Sequence, residues 1–231
     1  MTSHDEPVVL WSLQVHGRDV RCLRQPSGHG VELRILLGDE VFLSEVFPDV
    51  ERLAARADEF RSTLESRGWH DAPHGTAPRA AAPGDAEAVA ARRAPDSAKS
   101  PTVLVVDDED AVRSFLRAYL EDADYAVYEA TDVDGALSVL DRDHVDAVVL
   151  DVRMPDPRGL GRTGLEVLAF IRLQAAFTTV PVMILTGRLL SSAEQDLIRR
   201  HHAHLFLKPD GYRKLLQRLD QLTGRRAVRR L

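Results

Sequence analysis

Four short apolar runs recur after residue 100, and each stops at a polar or charged residue. Val103-Leu104-Val105-Val106 ends in Asp107-Asp108, and Ala147-Val148-Val149-Leu150 ends in Asp151. Val182-Met183-Ile184-Leu185 ends in Thr186, and Leu205-Phe206-Leu207 ends in Lys208. Runs this short and this continuous suit strands buried on both faces, the habit of parallel sheets covered by helices. Tyr125 to Ala130 reads as a further strand. The intervening segments 111–120, 133–140, 164–175, 193–201 and 211–222 have helical spacing. On the first of these helices Val112, Phe115, Leu116 and Tyr119 are expected to share one face. Strands alternating with helices in this way predict an α/β fold, a doubly wound five-stranded parallel sheet.

The first seventy residues have a different period. Val9, Trp11, Leu13 and Val15 alternate, as do Val31, Leu33, Ile35 and Leu37, which is the pattern of half-buried strands. Val20 to Arg24 and Val41 to Glu45 read as shorter strands. Turn signals separate them at residues 16–19, 26–30 and 38–40. Val50, Leu53, Ala57, Phe60 and Leu64 then form one helical stripe, closed by Trp69. The expectation is a small α+β domain over 1–70, an antiparallel sheet with one helix packed across it. Cys22, the only cysteine, is expected to be a buried apolar residue of its strand.

Residues 71–100 are rich in Ala and Pro and nearly lack large apolar side chains, so they bury too little to offset ordering. They are read as a flexible linker, with a short helix around 85–93 as its one candidate element. The α/β domain then spans 101–224, and 225–231 is a basic tail carrying four arginines.

Ligands of doubly wound sheets bind beyond the carboxyl ends of the strands. Asp107, Asp108, Asp151, Thr186 and Lys208 all fall there. Clustered carboxylates repel one another and call for compensation. A hard cation such as Mg²⁺, which takes oxygen ligands and keeps several waters, supplies it. An aspartate beside that cation can act as a nucleophile toward phosphorus.

The runs VLVVDDED, VVLDVRMP, MILTG and LFLKP, in this order and spacing, resemble the receiver domain of bacterial two-component response regulators over residues 102–223. The resemblance implies a flavodoxin-like receiver in which Asp151 is the phosphoacceptor. It implies that Asp108 binds Mg²⁺ directly, that Asp107 does so through water, and that the Arg153 backbone carbonyl is a third protein ligand. Thr186 would be the switch hydroxyl, and Lys208 would pair with phosphoryl oxygens, with a cis peptide to Pro209. The partners implied are a sensor histidine kinase or phosphotransfer protein and a downstream protein, with a homodimer as a further arrangement. Such a domain is not an enzyme beyond its own phosphorylation and dephosphorylation.

Three features depart from the family pattern. The glycine that follows the phosphoacceptor comes five residues late, at Gly164, after the loop PDPRGLG. The usual aromatic switch position holds Leu205, while Phe206 beside it should face the other side of its strand. Arg153 and Arg188, two positions after Asp151 and Thr186, are expected at the site mouth, where they could hold a phosphoryl group.

Other classes fit less well. Residues 1–70 carry 12 acids and 8 bases, which argues against nucleic acid as a partner there. No DNA-binding effector is expected after residue 224. No apolar run approaches the ~20 residues of a membrane span. No leader pattern opens the chain, so a cytoplasmic location without a membrane partner is expected. A phosphatase of the aspartyl-phosphate kind would want an acid where Arg153 stands. The remaining alternative is a receiver-like scaffold that is not phosphorylated, with residues 1–70 as its binding module. His201, His202 and His204 are expected to be solvated or loosely packed, and Pro73 disfavours a helix that would align His70 with His74.

Overall fold

A computed structural model of the chain describes residues 6–15, 17–72, 100–154, 163–174, 177–208 and 211–224. The linker with its candidate helix, the basic tail, Pro209, His74 and most of the loop after Asp151 lie outside them. The chain divides into two units, residues 1–91 and 92–231, each with its own sheet.

In the first unit, strands β1 (Val8–Val15), β2 (Arg18–Ser27), β3 (Gly30–Leu37) and β4 (Glu40–Phe47) precede helix α1 (Val50–Glu65). A two-residue strand, β5 (His70–Asp71), completes an antiparallel sheet of order β4-β3-β2-β1-β5. The turns are tighter than the sequence suggests: Pro26 and Ser27 belong to β2, and only Gly28 and His29 separate the paired Ser27 and Gly30. Gly30 has φ +140°, and a Cβ there would fall 2.1 Å from the Phe47 carbonyl oxygen, so only glycine fits. Asp49 caps α1 by accepting from the Arg52 N–H at 2.8 Å. Leu53, Ala57, Phe60 and Leu64 are buried as expected, together with Trp69. Val50 instead is 45% exposed, because it sits in the first helical residue, ahead of the turn that reaches the sheet. Arg56 joins the buried face, its charge met by Glu45 and Glu59. Cys22 is fully buried, and burial pushes its thiol up to about 12.

The second unit runs β6 (Thr102–Val106), α2 (Asp110–Asp122), β7 (Ala126–Ala130), α3 (Val133–Arg142), β8 (Ala147–Leu150), α4 (Gly164–Leu173), β9 (Val182–Thr186), α5 (Ser192–Arg200), β10 (His204–Leu207) and α6 (Gly211–Leu222). Its sheet is parallel throughout, with order β10-β9-β8-β6-β7. β6, β8 and β9 are central strands, buried on both faces, which accounts for their unbroken apolar runs. One core cluster joins Val103, Val105, Val149, Met183 and Leu185 to Leu116, Leu120, Leu215 and Leu219.

On α2 the expected face carries Leu116, which is buried, and Val112, which packs against the core, but it extends beyond the sheet. Arg113, Leu116 and Leu120 are buried, while Phe115 is 48% exposed. Phe115 stacks on Tyr119 and meets the edge of Tyr212 on α6, so the aromatic row covers a helix–helix seam rather than the sheet. β10 is an edge strand. Phe206 packs against the core and Leu205 points outward, 40% exposed, as their alternation requires. Among the described residues no helix is long and apolar enough to cross a membrane.

Candidate functional site

Parallel pairing lines up the strand exits. Val106 is opposite Leu150, Leu150 opposite Ile184, and Thr186 opposite Leu207. The residues that follow are held by backbone bonds across the sheet: the Asp151 N–H donates to Val106 O at 2.8 Å and the Lys208 N–H to Thr186 O at 3.0 Å. Asp107, Asp151, Thr186 and Lys208 thus leave neighbouring strands at one rim, and Asp108 follows Asp107.

The side chains converge there. Carboxylate oxygens of Asp107, Asp108 and Asp151 lie within 4.8 Å of one another. Asp107, Asp151 and Thr186 are buried and Asp108 is half-buried. Lys208 Nζ donates to Asp107 Oδ2 at 2.6 Å and stands 3.8 Å from Asp151 Oδ2. The N–H of Glu109 donates to Asp107 Oδ1 at 2.9 Å, and that of Val152 to Asp151 Oδ1 at 2.8 Å. One Asp151 oxygen is therefore tied to the backbone, and the other faces the lysine.

The electrostatics follow from this geometry. Burial raises the Asp151 carboxyl above its usual range; Lys208 opposes that rise and Asp107 adds to it. Burial alone would lower Lys208, but its bond to Asp107 and the charge of Asp151 outweigh it, and the ammonium is held above its usual range. Three acids facing one ammonium leave an excess of negative charge. Asp108 at the half-buried edge, with Asp107 and Asp151 buried behind it, makes a hard oxygen set that fits a divalent cation that retains waters.

Two further residues support the rim. Arg113 donates to the carbonyls of Asp107 and Asp108 at 2.9 and 3.1 Å and to Asp110 Oδ1 at 2.8 Å, fixing the turn that carries the acidic pair. The Asp110–Arg113 spacing of three at a helix start was the available signal. The second support is Gly164. Its N–H donates to Val152 O at 3.0 Å, and a Cβ on it would fall 1.9 Å from the Asp151 carbonyl oxygen. Despite the longer loop, this glycine seats the start of α4 directly on the Asp151 backbone.

Arg153 is exposed beside the rim, and its N–H donates to the Asp151 carboxylate. Arg188 departs from expectation. Its guanidinium is taken by both oxygens of Glu194 rather than offered to the rim, because Glu194 stands in the first turn of α5 directly beyond the loop. Burial would raise the Glu194 carboxyl, but Arg188 and Ser191 hold it below its usual range. Asp110 stands in the first turn of α2 as expected, while Glu109 takes the N-cap position just ahead of it. His202 is exposed, with His201 and His204 half-buried, and His70 lies in β5 rather than on a helix.

Residues 103–220 match the family model described as response regulator receiver domain. Among curated relatives, the transcriptional regulatory protein ResD of Bacillus subtilis is 37% identical over 93 residues, covering 40% of this chain and 35% of its own. The KDP operon transcriptional regulatory protein KdpE of Escherichia coli is 34% identical over 120 residues, covering 51% of this chain and 48% of its own. The chain therefore spans between about a third and a half of the length of these relatives. Among solved structures, the chemotaxis protein CheY4 of Vibrio cholerae aligns with a TM-score of 0.47 at 28% identity, over 53% of this chain and 98% of that one. With its matched segment filling half of the sequence, the chain belongs to the response regulator receiver domain family.

Proposed function

We propose that this chain is a phosphorylation-dependent signalling protein in which Asp151 accepts a phosphoryl group from a sensor histidine kinase or a phosphotransfer protein. The observation that carries the reading is the convergence of Asp107, Asp108 and Asp151 within 4.8 Å, beside Lys208. Asp108 and Asp151 would hold Mg²⁺ directly, Asp107 through water, and Arg153 through its backbone carbonyl. When bound, the ion neutralises the carboxylates and the equatorial phosphoryl oxygens.

The chain's own groups do the positioning. The Val152 N–H fixes one Asp151 oxygen and leaves the oxygen facing Lys208 as the nucleophile. That oxygen bonds to phosphorus as the donor's P–N bond breaks, and the electron pair stays on the imidazole nitrogen, which takes a proton. Lys208 then pairs with a phosphoryl oxygen and the Thr186 hydroxyl turns toward another. The modification replaces the single carboxylate charge with a phosphoryl group carrying about -1.5 to -2 at a buried rim, enough to bias the loops that border it. The protein turns over no other substrate, and its state is read through protein–protein contacts, with the first unit as a binding or dimerisation module.

Intact mass after incubation with acetyl phosphate tests the reading. The expected result is one added phosphoryl group that requires Mg²⁺ and is lost in Asp151→Asn. A wild-type chain that gains none, and whose melting temperature ignores Mg²⁺, would leave the scaffold reading instead.

A further inference from the structure

The loop between β9 and α5 carries a charge pair that the phosphoacceptor reading does not use. Arg188 lies two residues past Thr186, and its N–H reaches the Thr186 Oγ1 at 3.4 Å. Its guanidinium makes a two-pronged contact with the Glu194 carboxylate. The same carboxylate accepts from the N–H and hydroxyl of Ser191 at 2.8 and 2.9 Å, and the Glu194 N–H donates back to Ser191 Oγ at 3.3 Å, which is a capping box. One carboxylate thus holds both a cation next to the site and the first turn of α5.

The surroundings leave this arrangement free to rearrange. Gly187 has open space around it, Leu189 is 91% exposed and Leu190 is only half-buried, so little burial anchors the loop. α5 buries only Leu197 and Ile198, both beyond its first turn. Helices held by so few apolar contacts open at low cost. Adjacent strand exits lie ~4.8 Å apart, within the reach of an arginine side chain.

Resting on the reading of Asp151 as phosphoacceptor, we propose that Glu194 is a positioning residue that holds the Arg188 guanidinium until Asp151 is phosphorylated. The phosphoryl group then takes Arg188 over and the first turn of α5 loosens. A phosphoryl group carries about -1.5 to -2 of charge against -1 on Glu194, and offers three acceptor oxygens that an arginine fork matches. The Thr186 hydroxyl, on turning to the phosphoryl group, gives up the Arg188 N–H in the same step. The N–H tie to Thr186 and the fork to Glu194 are therefore exchanged together, the guanidinium also leaves the Leu189 carbonyl, and Glu194 keeps only Ser191.

Hydrogen exchange on the full chain, with phosphoryl occupancy read by intact mass in the same sample, tests this. In the wild type, acetyl phosphate with Mg²⁺ should speed exchange of the amides of residues 189–195 by about tenfold, as expected for loss of one charge-assisted contact. Glu194→Gln should show fast exchange before phosphorylation and no further rise. Arg188→Gln should accept the phosphoryl group, show no rise, and lose the group several-fold faster, a lifetime effect that a merely structural role would not produce. Arg188→Lys, which keeps the charge without the fork, should restore part of the lifetime. Phosphorylated wild type with unchanged exchange, or a full rise in Arg188→Gln, would overturn the proposal alone. A wild type that gains no phosphoryl group would overturn both it and the reading beneath it.

Discussion

Gly164 leaves no room for a side chain: the Asp151 carbonyl oxygen occupies the place of a Cβ, 1.9 Å away. Gly164→Ala must push either α4 or the phosphoacceptor turn aside, and should cost about 1–3 kcal/mol in urea unfolding and slow phosphorylation of Asp151. The charged residues of the rim allow a second prediction. Burial and Asp107 disfavour the ionised form of Asp151, so the apo site is under electrostatic strain at neutral pH. Asp151→Asn should raise the melting temperature without Mg²⁺ and abolish most of the increase that Mg²⁺ gives the wild type. At Cys22 the sign is also fixed. Its thiol is raised to about 12 in the folded chain, so the stability this brings is full below the unfolded value and fades as pH rises from there toward 12. Thiol reagents at pH 8 should label it only on unfolding. The rim residues were legible because each ends an apolar run. Arg188 was not, because its partner Glu194 also serves a helix cap, and spacing alone does not show which cation a capping acid holds.

At the scale of elements, legibility followed burial. β6, β8 and β9 are enclosed on both faces, so their runs could be read as they stand. α4 is buried nearly all round, Gly164 to Ile171 without a break, and its place followed from the same apolar density. The α2 face did not reveal what covers Phe115, because its aromatic partner Tyr212 stands on a neighbouring helix, a tertiary contact that periodicity does not encode. β5 was missed because two residues carry no period; it is made by pairing with Leu13 and Gln14. α1 is tied to its sheet through the Trp11 indole, which donates to Ala57 O at 3.1 Å in a buried setting. Trp11→Phe should cost about 0.5–1.5 kcal/mol by removing that bond between helix and sheet, read as a shift of the urea midpoint. The cap of α5 gives a pH dependence. The Glu194 carboxyl is lowered on folding, so its contribution is present above the unfolded value of ~4.3 and is lost as pH falls. The difference in melting temperature between wild type and Glu194→Gln should therefore shrink as the solution is acidified below about pH 4.

At the scale of the whole molecule, the two units carry separate reporters. Both tryptophans, Trp11 and Trp69, lie in the first unit, and the carboxylate rim lies in the second. Mg²⁺ should move the unfolding midpoint seen by helical circular dichroism and leave that of tryptophan emission in place; a shared shift would mean that the units unfold as one. The central claim is that Asp151 carries the phosphoryl group, and borohydride reduction tests it most directly, since it converts an aspartyl phosphate to homoserine at the modified position. After incubation with acetyl phosphate and Mg²⁺, peptide mapping should find homoserine at residue 151 and at no other aspartate. Homoserine at Asp107 or Asp108 instead, or none while the chain still gains phosphoryl mass, would contradict the account.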